Sequence, residues 1–279
     1  MMDIRPVAGA LGAEITGVDL RGELSNRVSA DIHAAFLKHH VLFFRDQHLS
    51  PQEELRFTRI FGEPDIYPFQ KGLPDTPEVI EILKTETDTR NFGGSWHSDT
   101  TYLEKPALGS VLSALEIPDY GGDTLFANMA LAYDALSDGM KAMLAGLVAV
   151  NSSDGPYRGG RQAVMAKLDG MKDAYQTEAT VYESEHPVVR THPENGLKAL
   201  YVNSSHTKRF RGMTEEESKP LLEYLCRHAV RPEFTCRFRW TAGAVAVWDN
   251  RCTQHHALND YAGKRRRMQR VTIKGDRPV

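Results

Sequence analysis

FTCRFRW, Phe234–Trp240, sets Phe234, Cys236, Phe238 and Trp240 at every second position, with Thr235, Arg237 and Arg239 between them. Successive side chains of a strand point to opposite faces, so this two-residue period predicts a half-buried antiparallel strand. VLFFRD (41–46), GSVLSAL (109–115), KALYVN (198–203), GAVAVWDN (243–250) and RMQRVTI (267–273) read as further strands. Turns rather than regularly spaced helices separate them. That arrangement predicts a mainly β architecture, a sandwich or barrel, with helices added outside. The alternating pattern of a doubly wound sheet is absent and no GxGxxG opens a helix, which argues against nucleotide binding of that kind.

The flanking helices carry their own signals. Ser50-Pro51-Gln52-Glu53 combines an N-cap serine, a proline at the first helical position and a glutamate that can close a capping box. Phe57, Ile60 and Phe61 then supply an apolar face, and Gly62 is the expected stop. Thr214 to Glu217 repeats the box ahead of Leu221, Leu222 and Leu225, and a third helix is expected from about Ser25 to His40. The polar, glycine-bearing stretch from Asn151 to Glu185 reads as a surface insertion, with a lid over a site as its functional reading.

Bulk properties narrow the possible partners. The 279 residues, 41% hydrophobic and 25% charged, can bury one substantial core, and the whole chain, 1–279, is read as a single domain. A net charge of −3 offers no global field for nucleic acid or an anionic membrane. No apolar run is long enough to span a bilayer, and the opening MMDIRPVAGALGAEITGVDL lacks the profile of a secretory signal. The three cysteines, Cys226, Cys236 and Cys252, are far apart and form no CxxC pair. A reducing compartment, the cytoplasm, is therefore expected, without a thiolate metal site.

Chemistry concentrates in three places. SWHSDTTY, Ser95–Tyr102, would put His97 and Asp99 on one face if extended, where they could share a metal or hydrogen-bond each other. WDNRCTQHHA, Trp248–Ala257, follows a strand and offers His255 and His256; neighbours on a strand diverge, so one of the two reaches any common centre. Two histidines and a carboxylate leave open coordination positions, the pattern of non-haem Fe(II) enzymes, although zinc takes the same donors. In KRRRMQRVTI, Arg266, Met268, Arg270 and Thr272 share one strand face. Two buried arginines require anions, and a planar guanidinium suits a carboxylate. A solvated basic edge is the alternative reading of the same residues.

HSD (97–99), GGDTLF (121–126), WDNRCTQH (248–255) and RRRMQR (265–270) occur in the order and spacing of the taurine dioxygenase family, which the chain resembles from LGAEITGVDL to RVTIKGDRP. These are Fe(II)- and 2-oxoglutarate-dependent oxygenases. The resemblance implies a double-stranded β-helix, related to the jelly roll, with His97, Asp99 and His255 as iron ligands and His256 as bystander. It implies that Arg266 and Thr124 receive the distal carboxylate of 2-oxoglutarate and that Arg270 receives the anionic end of the prime substrate. Oxygen is the remaining cosubstrate, and assembly into a homo-oligomer is expected.

Departures from the family pattern bear on the substrate. Tyr67 and Gln70, in YPFQ, stand where taurine enzymes carry the histidine and tyrosine of HPVY; Gly93 replaces an asparagine before the first iron histidine, and His206 replaces a pocket phenylalanine. These differences disfavour taurine itself and leave a small sulfonate, or an aryloxy or alkyl carboxylate, as the expected class. A redox-inert enzyme on the same barrel, a zinc hydrolase or cupin-like isomerase, would explain the metal ligands but not Thr124 and Arg266 together.

Overall fold

The structure, a computed structural model, describes residues 2–154, 167–171 and 181–279. Much of the proposed lid, 151–185, thus lies outside the described residues. Its described central piece, 167–171, is docked: Leu168 and Met171 are buried beside Phe69, Ile82 and Phe92, and the Asp88 carboxylate accepts from the amides of Asp169 and Gly170.

The expected strands form the frame. β1 (Asp3–Pro6), β2 (Ala13–Thr16), β3 (Val41–Phe44), β4 (Pro64–Asp65), β5 (Val79–Lys84) and β6 (Gly109–Glu116) come from the first half of the chain. β7 (Thr124–Asn128), β8 (Val148–Ser152), β9 (Glu183–Pro187), β10 (Val189–Thr191), β11 (Lys198–Leu200) and β12 (Thr207–Phe210) follow. β13 (Thr235–Phe238), β14 (Val245–Asp249), β15 (Thr253–Ala257) and β16 (Arg266–Ile273) complete the set. The large sheet runs β1-β2-β3-β14-β6-β16-β4, with β5 also paired to β16, while β13-β7-β15 forms a smaller antiparallel sheet. The expected strand from Phe234 begins one residue late, because Pro232–Phe234 is a 3-10 turn that presets the chain before β13.

Parity explains how the two sheets close on each other. On β14, Val245 and Val247 pack outward beneath the helices, whereas Ala246 and Trp248 point into the space between the sheets. β3 divides the same way, Leu42 and Phe44 outward, Val41 and Phe43 inward. Phe43 then stacks on Phe238 at 4.0 Å and tilts against Phe126 at 5.7 Å, joining the large sheet to the small one. β16 obeys this rule, with Met268 inside and Ile273 outside, so Arg266 and Arg270 share the inner face with Met268. The double-stranded β-helix expected from the resemblance is the observed core.

Helices cover the outside. α1 (Asn26–His39) is capped by Ser25, and α2 (Pro51–Thr58) carries the full capping box from Ser50 and Glu53. α2 ends at Thr58 and is capped by Arg59, short of the expected glycine, and Phe57 and Phe61 fill the groove between Phe36 and Phe44. α3 (Met129–Asp134), α4 (Asp138–Leu144) and α5 (Glu215–Ala229) cover the far side around Leu144, Phe210 and Leu225. No helix among the described residues is long and apolar enough to cross a membrane.

One outward contact is costly. Glu54 on α2 is 0% exposed, and neither carboxyl oxygen has a hydrogen-bond partner among the described residues. Burial pushes its carboxyl up to about 8, with Ser113 on β6 beside it. The unfolded chain releases this proton near 4.5. Between the two values the folded state holds the extra proton, so stability falls as pH rises across that window and stays low above it. Thermal melts from pH 5 to 8.5 should show this decline, and Glu54→Gln should flatten it by on the order of a few kcal/mol. Parallel profiles for the two proteins would remove Glu54 as the cause.

Candidate metal and anion site

His97 and His255 meet through their backbones. An isolated antiparallel bridge joins them, with the His97 amide donating to the His255 carbonyl at 3.1 Å and the His255 amide returning a bond at 2.8 Å. The extended stretch expected around His97 is therefore only one bridge long. The chain leaves it at once in a turn, with Thr100 at φ 53°. Asp99, where that turn begins, faces the same space as His97, as a shared face predicts.

The three side chains converge. Asp99 Oδ1 lies 3.7 Å from His97 Nε2 and 3.8 Å from His255 Nε2, and one ligand atom from each residue lies within 4.8 Å of the others. These separations are too long for hydrogen bonds, yet a single ion about 2.1 Å from each donor spans them. His97 Nδ1 is 2.7 Å from the Ser95 carbonyl, an acceptor, so Nδ1 carries the proton and Nε2 presents its lone pair. Burial and the neighbouring His97 push the His255 imidazole down to about 3, which keeps it neutral and able to coordinate. Burial would raise the Asp99 carboxyl, but His255, Arg270 and His97 hold it well below the usual range. His256 sits against Trp96 at 5.6 Å, outside this cluster, as divergence of strand neighbours predicts.

Asp99 is also held from behind. Its Oδ2 accepts from Ser110 Oγ at 3.0 Å and Asn250 Nδ2 at 3.2 Å, while Asn250 Oδ1 takes the Asp99 amide and the Trp248 indole N–H. Oδ1 is left to face the imidazoles. Neither Ser110 nor Asn250 was singled out from sequence, although Asn250 lies inside the WDN motif.

A second buried group of ligand type, His192, Asp249 and Cys252, is not a comparable centre. Asp249 Oδ1 accepts from the Arg251 amide and Nε, and Oδ2 from Arg251 Nη2 and His192 Nε2. His192 Nδ1 accepts two backbone amides, so its Nε2 carries the proton. The four lone-pair directions of Asp249 are filled. Burial also pushes the Cys252 thiol well up, away from the thiolate a metal needs.

Beside the His-Asp-His cluster lies a cavity bordered by Thr124, Trp248, Arg266, Arg270 and Gly93. Arg266 and Arg270 are 6% and 3% exposed, and the Nε and Nη2 of both have no hydrogen-bond partner among the described residues. Bare buried guanidinium edges are costly until an anion fills them, so the basic surface edge read from the sequence is confined to Lys264, Arg265 and Arg267, which pair with Asp119, Glu116 and Glu81. Arg270 lies over the rings of Tyr67 and Phe92, at 4.6 and 5.4 Å, and its Nη1 is 3.5 Å from Asp99 Oδ1. Its faces are covered, which leaves the guanidinium edge for a ligand.

The other expected pocket residues divide. His206 lies 5.9 Å from the His97 ring, with Nδ1 at 2.9 Å from Thr101 Oγ1. Gln70 is buried, but its amide nitrogen donates to the Glu81 carbonyl on β5 and it does not border this cavity. Gly93 stands at φ 77°, where an added Cβ would meet the His97 ring at 3.4 Å. Asn91 two residues earlier ties this loop to the carbonyls of Ala257 and Leu258.

A double-stranded β-helix holding two histidines and a carboxylate, beside two buried arginines that each keep open N–H positions, defines a mononuclear non-haem metal oxygenase. The chain matches the model of the taurine catabolism dioxygenase TauD, TfdA family over residues 3–272 and belongs to that family. It is 39% identical over 280 residues to an alpha-ketoglutarate-dependent sulfate ester dioxygenase of Pseudomonas putida, covering 100% of this chain and 91% of that protein. An alkylsulfatase of Acinetobacter baylyi is 38% identical, over 99% of this chain and 86% of its own length. Among solved structures, a taurine dioxygenase from Burkholderia xenovorans superposes with a TM-score of 0.83 at 38% identity, covering 100% of this chain and 92% of that one. The protein is an Fe(II)- and 2-oxoglutarate-dependent dioxygenase, and the redox-inert alternative is set aside.

Replacing Asn250 with alanine removes one of the two donors that hold Asp99 Oδ2 and should weaken Fe(II) or Mn(II) binding by about 10- to 100-fold while the fold is retained. Competition against a metallochromic chelator measures this. An unchanged metal affinity in a folded variant would show that Asn250 does not orient the aspartate.

Proposed function

We propose that the chain oxidises an organic sulfate ester, or a sulfonate of similar size, at the carbon next to the anionic group. In this reading His97 Nε2, Asp99 Oδ1 and His255 Nε2 hold Fe(II), Arg266 and Thr124 hold the distal carboxylate of 2-oxoglutarate, and Arg270 receives the sulfate or sulfonate. The observation that carries it is the pair of unpartnered guanidinium edges flanking the three ligands. Two anion receptors on one strand face suit a cosubstrate and a substrate that are both anionic. The names of the Pseudomonas and Acinetobacter relatives favour the ester, where the residue reading had favoured a sulfonate or carboxylate.

When bound, Fe(II) with 2-oxoglutarate and O2 supplies the oxidant that inserts oxygen into a C–H bond, the cosubstrate leaving as succinate and carbon dioxide. The protein's own part is placement. Arg270, with its faces closed by Tyr67 and Phe92, accepts the anion only in its plane, which fixes the direction of the attached carbon. His206 stands as a wall beside His97, and Gln70 holds the Tyr67 loop against β5. The buried aromatic surface around Tyr67 and Tyr102 keeps stray water from the reacting carbon. Hydroxylation of the carbon bearing the ester oxygen gives an adduct whose C–O bond to sulfate breaks, the hydroxyl losing its proton as the carbonyl forms. The products are an aldehyde and inorganic sulfate. Action in the cytoplasm, as a homo-oligomer of one-domain chains, belongs to the same proposal; the three unpaired cysteines support the reducing compartment.

Incubation with Fe(II), 2-oxoglutarate, O2 and a medium-chain alkyl sulfate should yield succinate, aldehyde and sulfate in equal amounts, with taurine much poorer. Turnover of taurine but not of alkyl sulfate would reverse the substrate assignment. Arg266→Ala should weaken 2-oxoglutarate binding by about a hundredfold, and Arg270→Ala should weaken the alkyl sulfate by a similar factor with 2-oxoglutarate largely spared. Equal losses for the cosubstrate in the two variants would overturn this division between the arginines.

A further inference from the structure

Trp240 touches both residues read as the receptors of the cosubstrate carboxylate. Its indole Nε1 donates to Thr124 Oγ1 at 2.9 Å, and the Arg266 Cζ lies 5.8 Å from its ring centroid. The side chain is only 3% exposed, and the edge-on Phe238 ring at 4.9 Å fixes its orientation. Phe238 is itself the register partner of Thr124, so the β13–β7 pairing brings the indole over the threonine.

The polarity of this bond matters. An indole N–H can only donate, whereas a hydroxyl both donates and accepts. With Trp240 occupying an acceptor position, the Thr124 hydroxyl proton must seek a different acceptor, and Thr124 borders the cavity shared with Arg266. Arg266 adds N–H groups that have no partner among the described residues. We infer that Trp240 is a positioning residue that fixes Thr124 as a hydrogen-bond donor, making this end of the cavity selective for a 2-oxo acid that terminates in a carboxylate. The inference rests on the reading that Thr124 and Arg266 receive that carboxylate.

Selectivity, not overall affinity, is the signature. 2-Oxopentanoate differs from 2-oxoglutarate by a methyl group in place of the distal carboxylate, so it reports on the metal end alone. Anaerobic calorimetric titration of Mn(II)-loaded protein with each acid should show Trp240→Phe weakening 2-oxoglutarate by about tenfold and 2-oxopentanoate by less than about twofold. In a Thr124→Val background the same change should cost nothing further, because the hydroxyl it polarises is gone. Equal weakening of the two acids, no weakening of either, or losses that add in the double variant would each overturn the inference. Should Arg266→Ala bind 2-oxoglutarate like the parent protein, the reading beneath it fails instead.

A second measurement needs no change at Trp240. The chain has three tryptophans, so a nitrogen-15 indole spectrum of Zn(II)-loaded protein holds three side-chain signals. The Trp240 signal, identified by its upfield move in Thr124→Val, should shift on adding 2-oxoglutarate and stay in place with 2-oxopentanoate. The same response to both acids would overturn the inference even if Trp240→Phe does not fold.

Discussion

Buried positive charge with N–H groups left open is the constraint around which this molecule is organised. Arg266 and Arg270 stand on the inner face of β16, with two N–H positions on each unpartnered among the described residues. An unpaired buried cation costs several kcal/mol even after relaxation. Asp99 offsets part of this cost at Arg270, and the open N–H positions of both residues suit anions that bind during the working cycle. Met268 between them, packed with Phe126 and Trp248, pins the strand so that neither guanidinium can turn out to solvent.

The metal-binding cluster answers the same constraint from the other side. Asp99 supplies negative charge facing Arg270 at 3.5 Å, and a divalent ion would share that carboxylate with two neutral imidazoles. The donors come from segments more than 150 residues apart, held by a backbone bridge between His97 and His255 and by Asn250 and Ser110 behind Asp99. Geometry is supported here by main-chain pairing and side-chain hydrogen bonds that need no ion. Such preorganisation lets an anionic substrate be placed beside a reactive centre without the protein having to rearrange.

Much of this was legible in the sequence because side-chain parity is a local property. The alternation in Phe234–Trp240 gave the strand, and the two-residue period through Arg266, Met268 and Arg270 gave a shared face, which the unbroken register with β5 and the cavity that both arginines border bear out. Capping boxes located α2 and α5 for the same local reason. Long-range facts were less accessible. Parity suggested the right partnership for His97 and Asp99, but it could not show that the extended stretch is a single bridge to His255. The roles of Asn250 and Trp240 arise from contacts with Asp99 and Thr124, more than 100 residues away along the chain, and that of Ser110 from a contact across the turn and strand after Asp99. Glu54 illustrates the opposite limit: it reads as an ordinary first-turn acid, and only the packing of α2 onto β6 and β16 buries it.

The most direct test is anomalous diffraction at the iron edge from crystals grown anaerobically with Fe(II) and 2-oxoglutarate. The account requires one strong peak among His97, Asp99 and His255, with the far carboxylate of the cosubstrate against Arg266. A peak instead at His192, Asp249 and Cys252, or a cosubstrate whose far carboxylate lies away from Arg266, would contradict it.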